Sequence, residues 1–175
     1  MSDFGGSTTP QDEKDCWQTP LWVFDALDIE FGFWLDAAAS DRNALCARYL
    51  TERDDSLNRE WESYGAIWCN PPYSDISPWV AKAAEQCAEQ RQPVVMLLPA
   101  DISTGWFSSA MQSADELRLI TDGRISFVPV TDGGKRKSNP KGSVLFIWRP
   151  FIKPRRIITS VSLAELKRIG AREAA

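Results

Sequence analysis

Residues 67–75 read Ile-Trp-Cys-Asn-Pro-Pro-Tyr-Ser-Asp, an apolar run that ends in two prolines flanked by an amide and a phenol. A residue preceding proline is held in extended backbone, so Asn70 and Pro71 are both kept out of the helical region. Pro71 and Pro72 have no N–H to compete for neighbouring acceptors. The corner is therefore stiff, and it aims two acceptors, the Asn70 side-chain oxygen and the Pro71 carbonyl. Two fixed acceptors match a planar NH2 group with its two hydrogens. Tyr73 offers a ring on which the heterocycle bearing that amine can stack, a contact worth about 1–3 kcal/mol per base in nucleic-acid complexes. An exocyclic amine is a poor nucleophile because its lone pair is delocalised into the ring. Accepting hydrogen bonds from both N–H groups favours the pyramidal form that attacks an electrophile, and acceptors placed for charge developing at nitrogen favour the transition state over the ground state. Neither histidine nor a metal is required, and the chain has no histidine.

The elements that must hold this corner alternate along the chain. Thr19 reads as an N-cap with Pro20 at the first helical position, opening a helix over Pro20–Phe31. "FWLDA" is a short buried strand ending at Asp36, followed by a helical stretch over about 41–47 and a weak strand at "RYLT". An acidic loop, "ERDDS", and a short helix around Trp61 precede the strand "AIWC". Ser77-Pro78 repeats the cap-plus-proline start for a second long helix, with Val80, Ala84 and Cys87 at helical spacing. "VVMLL" is an apolar run of the kind covered on both faces of a sheet, stopped by Pro99. A helix at "TGWFSSAMQSA", late strands at "LRLI" or "ISFVPV" and at "SVLFIW", and a helix capped by Ser162 and Glu165 complete the pattern. This alternation implies an α/β fold: a mostly parallel, Rossmann-like sheet with one late antiparallel strand and helices on both faces. Ligands of such sheets bind beyond the carboxyl ends of the strands. Asp36, Asn70 and Pro99 all stand there, along one rim.

Length and apolar content fit one domain, expected over 16–160, with a flexible tail at 1–15 and a C-terminal helix within 161–175. No apolar run of about 18 residues is present, which excludes a membrane span of that kind. The polar, acidic N-terminus does not read as a signal peptide. Cys16, Cys46, Cys69 and Cys87 are scattered without a CxxC, which argues against a metal site and fits reduced thiols in a cytoplasmic protein. The net charge of −4 hides a division. Residues 1–117 carry 7 basic and 20 acidic side chains, a balance of −13; residues 118–175 carry 13 and 4, a balance of +9. No acid interrupts the chain between Lys135 and Arg156, which holds eight lysines and arginines. Local charge of this kind can bind phosphates on an otherwise acidic protein, although a solvated surface is the plainer alternative.

Asn70-Pro71-Pro72-Tyr73 resembles the [DNS]PP[YFW] signature of amino-methyltransferases that use S-adenosylmethionine. The wider run resembles the phage-type DNA N6-adenine methyltransferases, the Dam family of phages and prophages, from about Trp17 to Pro150. The likeness rests on "WQTP", "FGFWLDAAASDRNALCARYLT", "DDSL…W", "IWCNPPYS…WVAKA", "VVMLLPA", "GRISF" and the apolar strand before "RP". It implies that Asn70, Pro71, Pro72 and Tyr73 hold a flipped adenine. Thr19 and Pro20 resemble the segment that closes over the methionine end of the cofactor, and Asp36 the carboxylate that takes its ammonium. Asp55 resembles the acid that reaches towards its adenosine half, with Asp54 the rival. The chain departs from many adenosylmethionine enzymes in having "LDAAAS" where they have a Gly-rich turn.

An enzyme acting on a base in double-stranded DNA must grip the backbone and extrude the nucleotide. The basic loop at 131–142 is the expected grip, through Lys135, Arg136, Lys137 and Lys141, with Arg124 approaching the substrate. The same corner could serve cytosine N4, an RNA base or a protein glutamine, and a silent DNA-binding protein could keep the same shell. Taken singly, the features have plainer readings too: an ordinary turn, a plain helix start, a solvated acidic loop. Their order along the chain favours the enzyme. The setting expected is the cytoplasm of a bacterium carrying the phage or prophage, with monomer and dimer equally compatible with the size.

Overall fold

The computed structural model describes residues 17–129, 137–138 and 140–171. The expected tail at 1–15, Cys16, Lys135 and Arg136 lie outside them. Among the described residues, ten strands and four α-helices follow in order: β1 (Trp17–Gln18), α1 (Leu21–Phe31), β2 (Phe33–Asp36), β3 (Arg48–Tyr49), β4 (Ala66–Cys69), α2 (Ser77–Gln90) and β5 (Val94–Pro99). Then come α3 (Gly105–Ser113), β6 (Glu116–Thr121), β7 (Ser126–Pro129), β8 (Lys137–Ser138), β9 (Ser143–Trp148), β10 (Ile157–Ser162) and α4 (Leu163–Gly170). A 3-10 turn spans Glu52–Asp54. No helix among the described residues is long and apolar enough to cross a membrane.

Seven strands form the main sheet in the order β10-β6-β9-β5-β4-β2-β3. All its pairings are parallel except those of β9, which runs against both β5 and β6. The α/β class with one late antiparallel strand is thus the one the sequence indicates. The apolar runs of β5 and β9 divide by parity, since alternate side chains leave opposite faces. Val94, Met96, Leu98, Val144 and Phe146 join Val80 and Ala83 of α2 and Phe107 of α3 in one core. Val95, Leu97, Leu145 and Ile147 join Val23 and Leu27 of α1 and Leu166 of α4 in the other. Gly170 lets α4 close on α1: a Cβ there would stand 2.1 Å from the Trp22 carbonyl oxygen.

The structure corrects several local expectations. The helix at 41–47 does not form, because side chains take its backbone donors. Leu45 N–H goes to Asp36 Oδ2 (3.1 Å) and Arg42 N–H to Ser40 Oγ (3.4 Å), while just ahead of the segment Ser40 N–H goes to Asn43 Oδ1 (2.6 Å). No helix surrounds Trp61 either; its backbone N–H bonds Gln86 Oε1 (2.7 Å) and its indole N–H the Ser56 carbonyl (2.8 Å). Ser77 is the first residue of α2 rather than its cap. Both "LRLI" and "ISFVP" are strands, but only the first joins the main sheet. The second, β7, lies between β1 and β8 in a separate small sheet. An unforeseen edge strand, β10, runs parallel to β6 and continues across residue 160 into α4.

Two features of this architecture create a site. β2, β4 and β5 are parallel neighbours, so Asp36, Asn70 and Pro99 meet along one rim of the sheet. β1 pairs with β7 (Trp17 opposite Pro129, Gln18 opposite Val128), which brings the residues before α1 onto that rim.

Candidate active site

A cavity of about 960 Å³ opens at the carboxyl ends of β2, β4 and β5. Its wall includes Thr19, Asp36, Asp55 and the whole Asn70–Tyr73 corner, together with Pro99 and Lys141.

Asp36 is 3% exposed. Its oxygens accept the backbone N–H groups of Ala38 (3.2 Å) and Leu45 (3.1 Å). Burial raises its pKa to about 6 in spite of those two bonds. Among the described ion pairs none involves Asp36. A buried carboxylate without a cation, on the wall of a cavity, is a place for a cationic ligand group. The turn that follows needs no glycine. Ala37, Ala38 and Ala39 all have negative φ and line the cavity with methyl groups. The turn is tied by Ala37 N–H to Trp68 O (2.9 Å) and Ala39 N–H to Leu50 O (2.9 Å).

The two acids of the "DDS" loop part company. Asp54 accepts the N–H (2.8 Å) and hydroxyl (2.9 Å) of Thr51, and faces Arg59 at 3.3 Å. The Thr51 hydrogen bonds hold its carboxyl below the usual range. It does not line the cavity. Asp55 does, on left-handed backbone (φ 53°), with both oxygens accepting from Asn58 Nδ2. The adjacent Ser56 fastens this turn to the alanine turn through a 2.6 Å bond to the Ala37 carbonyl.

Asn70 lies one residue past β4, and its Nδ2 donates to Thr19 Oγ1 at 3.0 Å. Thr19 is therefore no helix cap: its hydroxyl turns away from α1, and the N-cap position is Pro20, without a side-chain bond. In this arrangement Nδ2 is the end of the Asn70 amide that faces Thr19, and Oδ1 is the end left as an acceptor. Pro20 is buried but does not line the cavity. Tyr73 donates its hydroxyl to the Leu97 carbonyl (3.0 Å) and meets Phe127 edge-on, with ring centroids 6.5 Å apart. Burial raises its phenol pKa far above the ordinary range, so the ring is neutral and anchored at both ends.

The basic residues divide in the same way. Lys141 stands at the cavity mouth, paired with Asp101. Arg124 is exposed but is not part of the cavity wall. The backbone of Lys137, in β8, pairs with Phe127 of β7. Farther along the basic block, Arg149 and Arg155 pair with Asp115, a carboxylate from the acidic half of the chain. That part of the block holds the fold together and is not a free phosphate-binding face. Sequence reasoning also passed over Glu52, Trp79, Asp101, Thr104, Trp106 and Phe127, all of which line the cavity. The signal available was position: Asp101 and Thr104 follow a strand that ends at the rim. Among the described residues, no group of three or more His, Cys, Asp or Glu side chains is placed to hold a metal ion.

Comparison with known proteins places this geometry in a context. Residues 6–173 match the model of the family described as DNA N-6-adenine-methyltransferase (Dam). A DNA N-6-adenine-methyltransferase of Escherichia phage T1 is 37% identical over 161 residues, covering 83% of this chain and 67% of the relative. Another of that description, from Haemophilus phage HP1 (strain HP1c1), is 35% identical over 167 residues, covering 94% of this chain and 96% of the relative.

Proposed function

The chain belongs to the DNA N-6-adenine-methyltransferase (Dam) family, and from that membership we propose how this cavity transfers a methyl group to the N6 amine of adenine in DNA. The methyl donor is S-adenosylmethionine, and the substrate is double-stranded DNA from which the target adenine is flipped.

The residues present suit that cofactor. Asp36 offers the methionine ammonium a buried carboxylate that forms no ion pair among the described residues. Asp55, across the same cavity, offers acceptors to the adenosine hydroxyls, while Asp54 is occupied by Thr51. When bound, adenosylmethionine supplies an electrophilic methyl carbon carried on a sulfonium leaving group. Asn70 Oδ1 and the Pro71 carbonyl accept the two N6 hydrogens and localise the nitrogen lone pair. With the thioether as leaving group, attack of N6 on that methyl carbon would place positive charge on the nitrogen, which these two acceptors would stabilise. The N6 proton, acidic once the nitrogen is cationic, passes to water. Tyr73 supplies the face on which the flipped adenine lies. Thr19 acts through Asn70, holding its amide in the accepting orientation. Lys135, Arg136, Lys137, Lys141 and Arg124 are assigned to the DNA, within a domain spanning 16–160 and followed by the terminal helix.

One observation carries this reading: the Asn70 amide, bonded to Thr19, shares a cavity with a buried carboxylate that pairs with no cation among the described residues. Nucleoside mass spectrometry on DNA incubated with the protein and adenosylmethionine tests it, beside Asn70→Ala. N6-methyladenine that disappears in the variant is the expected result. N4-methylcytosine would keep the mechanism and overturn the base. No methylated base in any DNA would overturn the reading.

A further inference from the structure

At the mouth of the cavity the chain exposes a large aliphatic side chain on a turn that is held rigidly. Ile102 is 80% exposed. It lies between Asp101 and Thr104, both of which line the cavity, just beyond the carboxyl end of β5. Its turn is closed by Asp101 N–H to Pro99 O (2.9 Å) and by the Thr104 hydroxyl to Asp101 O (2.9 Å). The Ser103 hydroxyl bonds Asp101 Oδ1 (2.9 Å), and Lys141 pairs with the other carboxylate oxygen. Ala100 N–H reaches the Gly142 carbonyl (3.2 Å), tying the turn to the start of β9. The exposure of Ile102 is therefore built into the turn, and the side chain projects from a fixed base. Ile152 and Ile158, also exposed, lie elsewhere, beyond the end of β9 and on the edge strand β10.

The chemistry of flipping gives such a projection a use. Extruding a base leaves a gap between its neighbouring pairs, and an apolar side chain inserted at a base step offsets the lost stacking. A β-branched side chain has little rotamer freedom to lose on insertion. We infer that Ile102 is a wedge that enters duplex DNA beside the flipped adenine and holds the vacated space open. The inference rests on the reading of the cavity as the site of a flipped base. It makes Ile102 a positioning residue, since it touches neither the cofactor nor the reacting nitrogen.

The test uses the full-length protein and a duplex carrying a site that the wild-type protein methylates. A second duplex is identical except that the target adenine is mispaired and already loosened. With Ile102→Ala, the single-turnover rate on the paired duplex is expected to fall about tenfold or more, since unstacking costs a few kcal/mol and each 1.36 kcal/mol is a factor of ten. On the mispaired duplex it stays within about threefold of wild type, as the opening cost there is already reduced. Fluorescence of 2-aminopurine at the target rises less in the variant, and Ile102→Leu restores most of the rate. Adenosylmethionine affinity is unchanged. An undiminished rate on the paired duplex, or an equal loss on both duplexes, overturns the wedge while leaving the activity reading intact. Failure of the wild-type protein to methylate any DNA removes both, and that outcome is read from the wild-type reaction alone.

Discussion

Asp36 and Asp115 are both buried, at 3% and 1% exposure, yet they are held in opposite electrostatic states. Asp115 precedes β6 at the amino end of that strand, away from the cavity. Burial pushes its pKa up, but hydrogen bonds from Arg155 and Arg149 more than reverse this and set it at about 2. Arg155 contributes its backbone N–H (2.8 Å) and its guanidinium (2.8 Å), and Arg149 a further contact at 3.0 Å. Glu116, next in the chain, is treated likewise by Arg118 and Arg149. Asp36, at the carboxyl end of β2, receives two backbone N–H groups and, among the described residues, no cation. A charge satisfied within the fold stabilises it; a charge left unsatisfied at a cavity wall is a standing cost that a ligand can remove.

The sharpest way to break this comparison is to delete each carboxylate. Asp115→Ala leaves the Arg155 backbone N–H and guanidinium without their acceptor and costs Arg149, which keeps Glu116, one of its two close partners; it is expected to destabilise the fold by about 3 kcal/mol, the lower end of the cost of removing one partner of a buried pair. Urea unfolding measures it, and whatever protein remains folded should bind adenosylmethionine as before. Asp36→Ala should reverse the pattern. Loss of a buried partner for the cofactor ammonium predicts about a 100-fold weaker Kd, at roughly 1.4 kcal/mol per factor of ten. Its cost in stability is small, because two lost backbone hydrogen bonds are offset by removal of an uncompensated charge. Calorimetric titration decides; unchanged affinity in Asp36→Ala would remove the cofactor role of this residue.

Acidity sharpens the same contrast. The folded pKa of Asp36, about 6, lies above the ordinary 3.8, so between those values the native state binds the extra proton. Its contribution to stability therefore falls as pH rises from about 4 to 6, and is level above. Asp115 and Glu116 titrate near 2 when folded, against 3.8 and 4.5 otherwise. Their contribution is present above about pH 4.5 and is lost as pH falls towards 2. The expected profile of the unfolding free energy from urea titrations rises with pH from 2 to about 4 and then declines by the order of 2 kcal/mol towards 6. Asp36→Ala should abolish the decline and keep the rise. Cofactor affinity should climb as pH passes through 6, since the ammonium needs the ionised carboxylate.

What could be read in advance follows from the range of the interactions. The rim is legible because each of its residues is a local punctuation mark: Asp36, Asn70 and Pro99 each end an apolar run, and a parallel sheet brings such ends together. The stiffness of Pro71 and Pro72 is likewise local. Partners far apart in sequence were not legible. Nothing near Asp115 announces Arg155, 40 residues later, so the basic block reads as a surface although two of its eight members, Arg149 and Arg155, answer a buried acid. The segment 41–47 has helical spacing, but Asp36 takes the Leu45 N–H from nine residues away and outcompetes it. β10 escaped because an edge strand with alternating exposure has no continuous apolar run.

Thr19 is the subtlest case, because its Asn70 contact spans 51 residues and replaces the capping role that its position suggests. It is also the point where the two regions can be told apart by a small effect. Thr19 is buried, so Thr19→Val fills the same space and removes only the hydroxyl that receives Asn70 Nδ2. A single neutral hydrogen bond is worth about 1 kcal/mol, which predicts a rate of methyl transfer lowered by about three- to tenfold. Thr19→Ser, keeping the hydroxyl, should restore it. The KM for adenosylmethionine should hardly move, and the pH profile of stability should match wild type, because no titrating group has been touched. If Thr19→Val instead weakens cofactor binding and leaves kcat intact, Thr19 belongs functionally with Asp36 at the cofactor end, and its bond to Asn70 is only a way of closing the segment over the ligand.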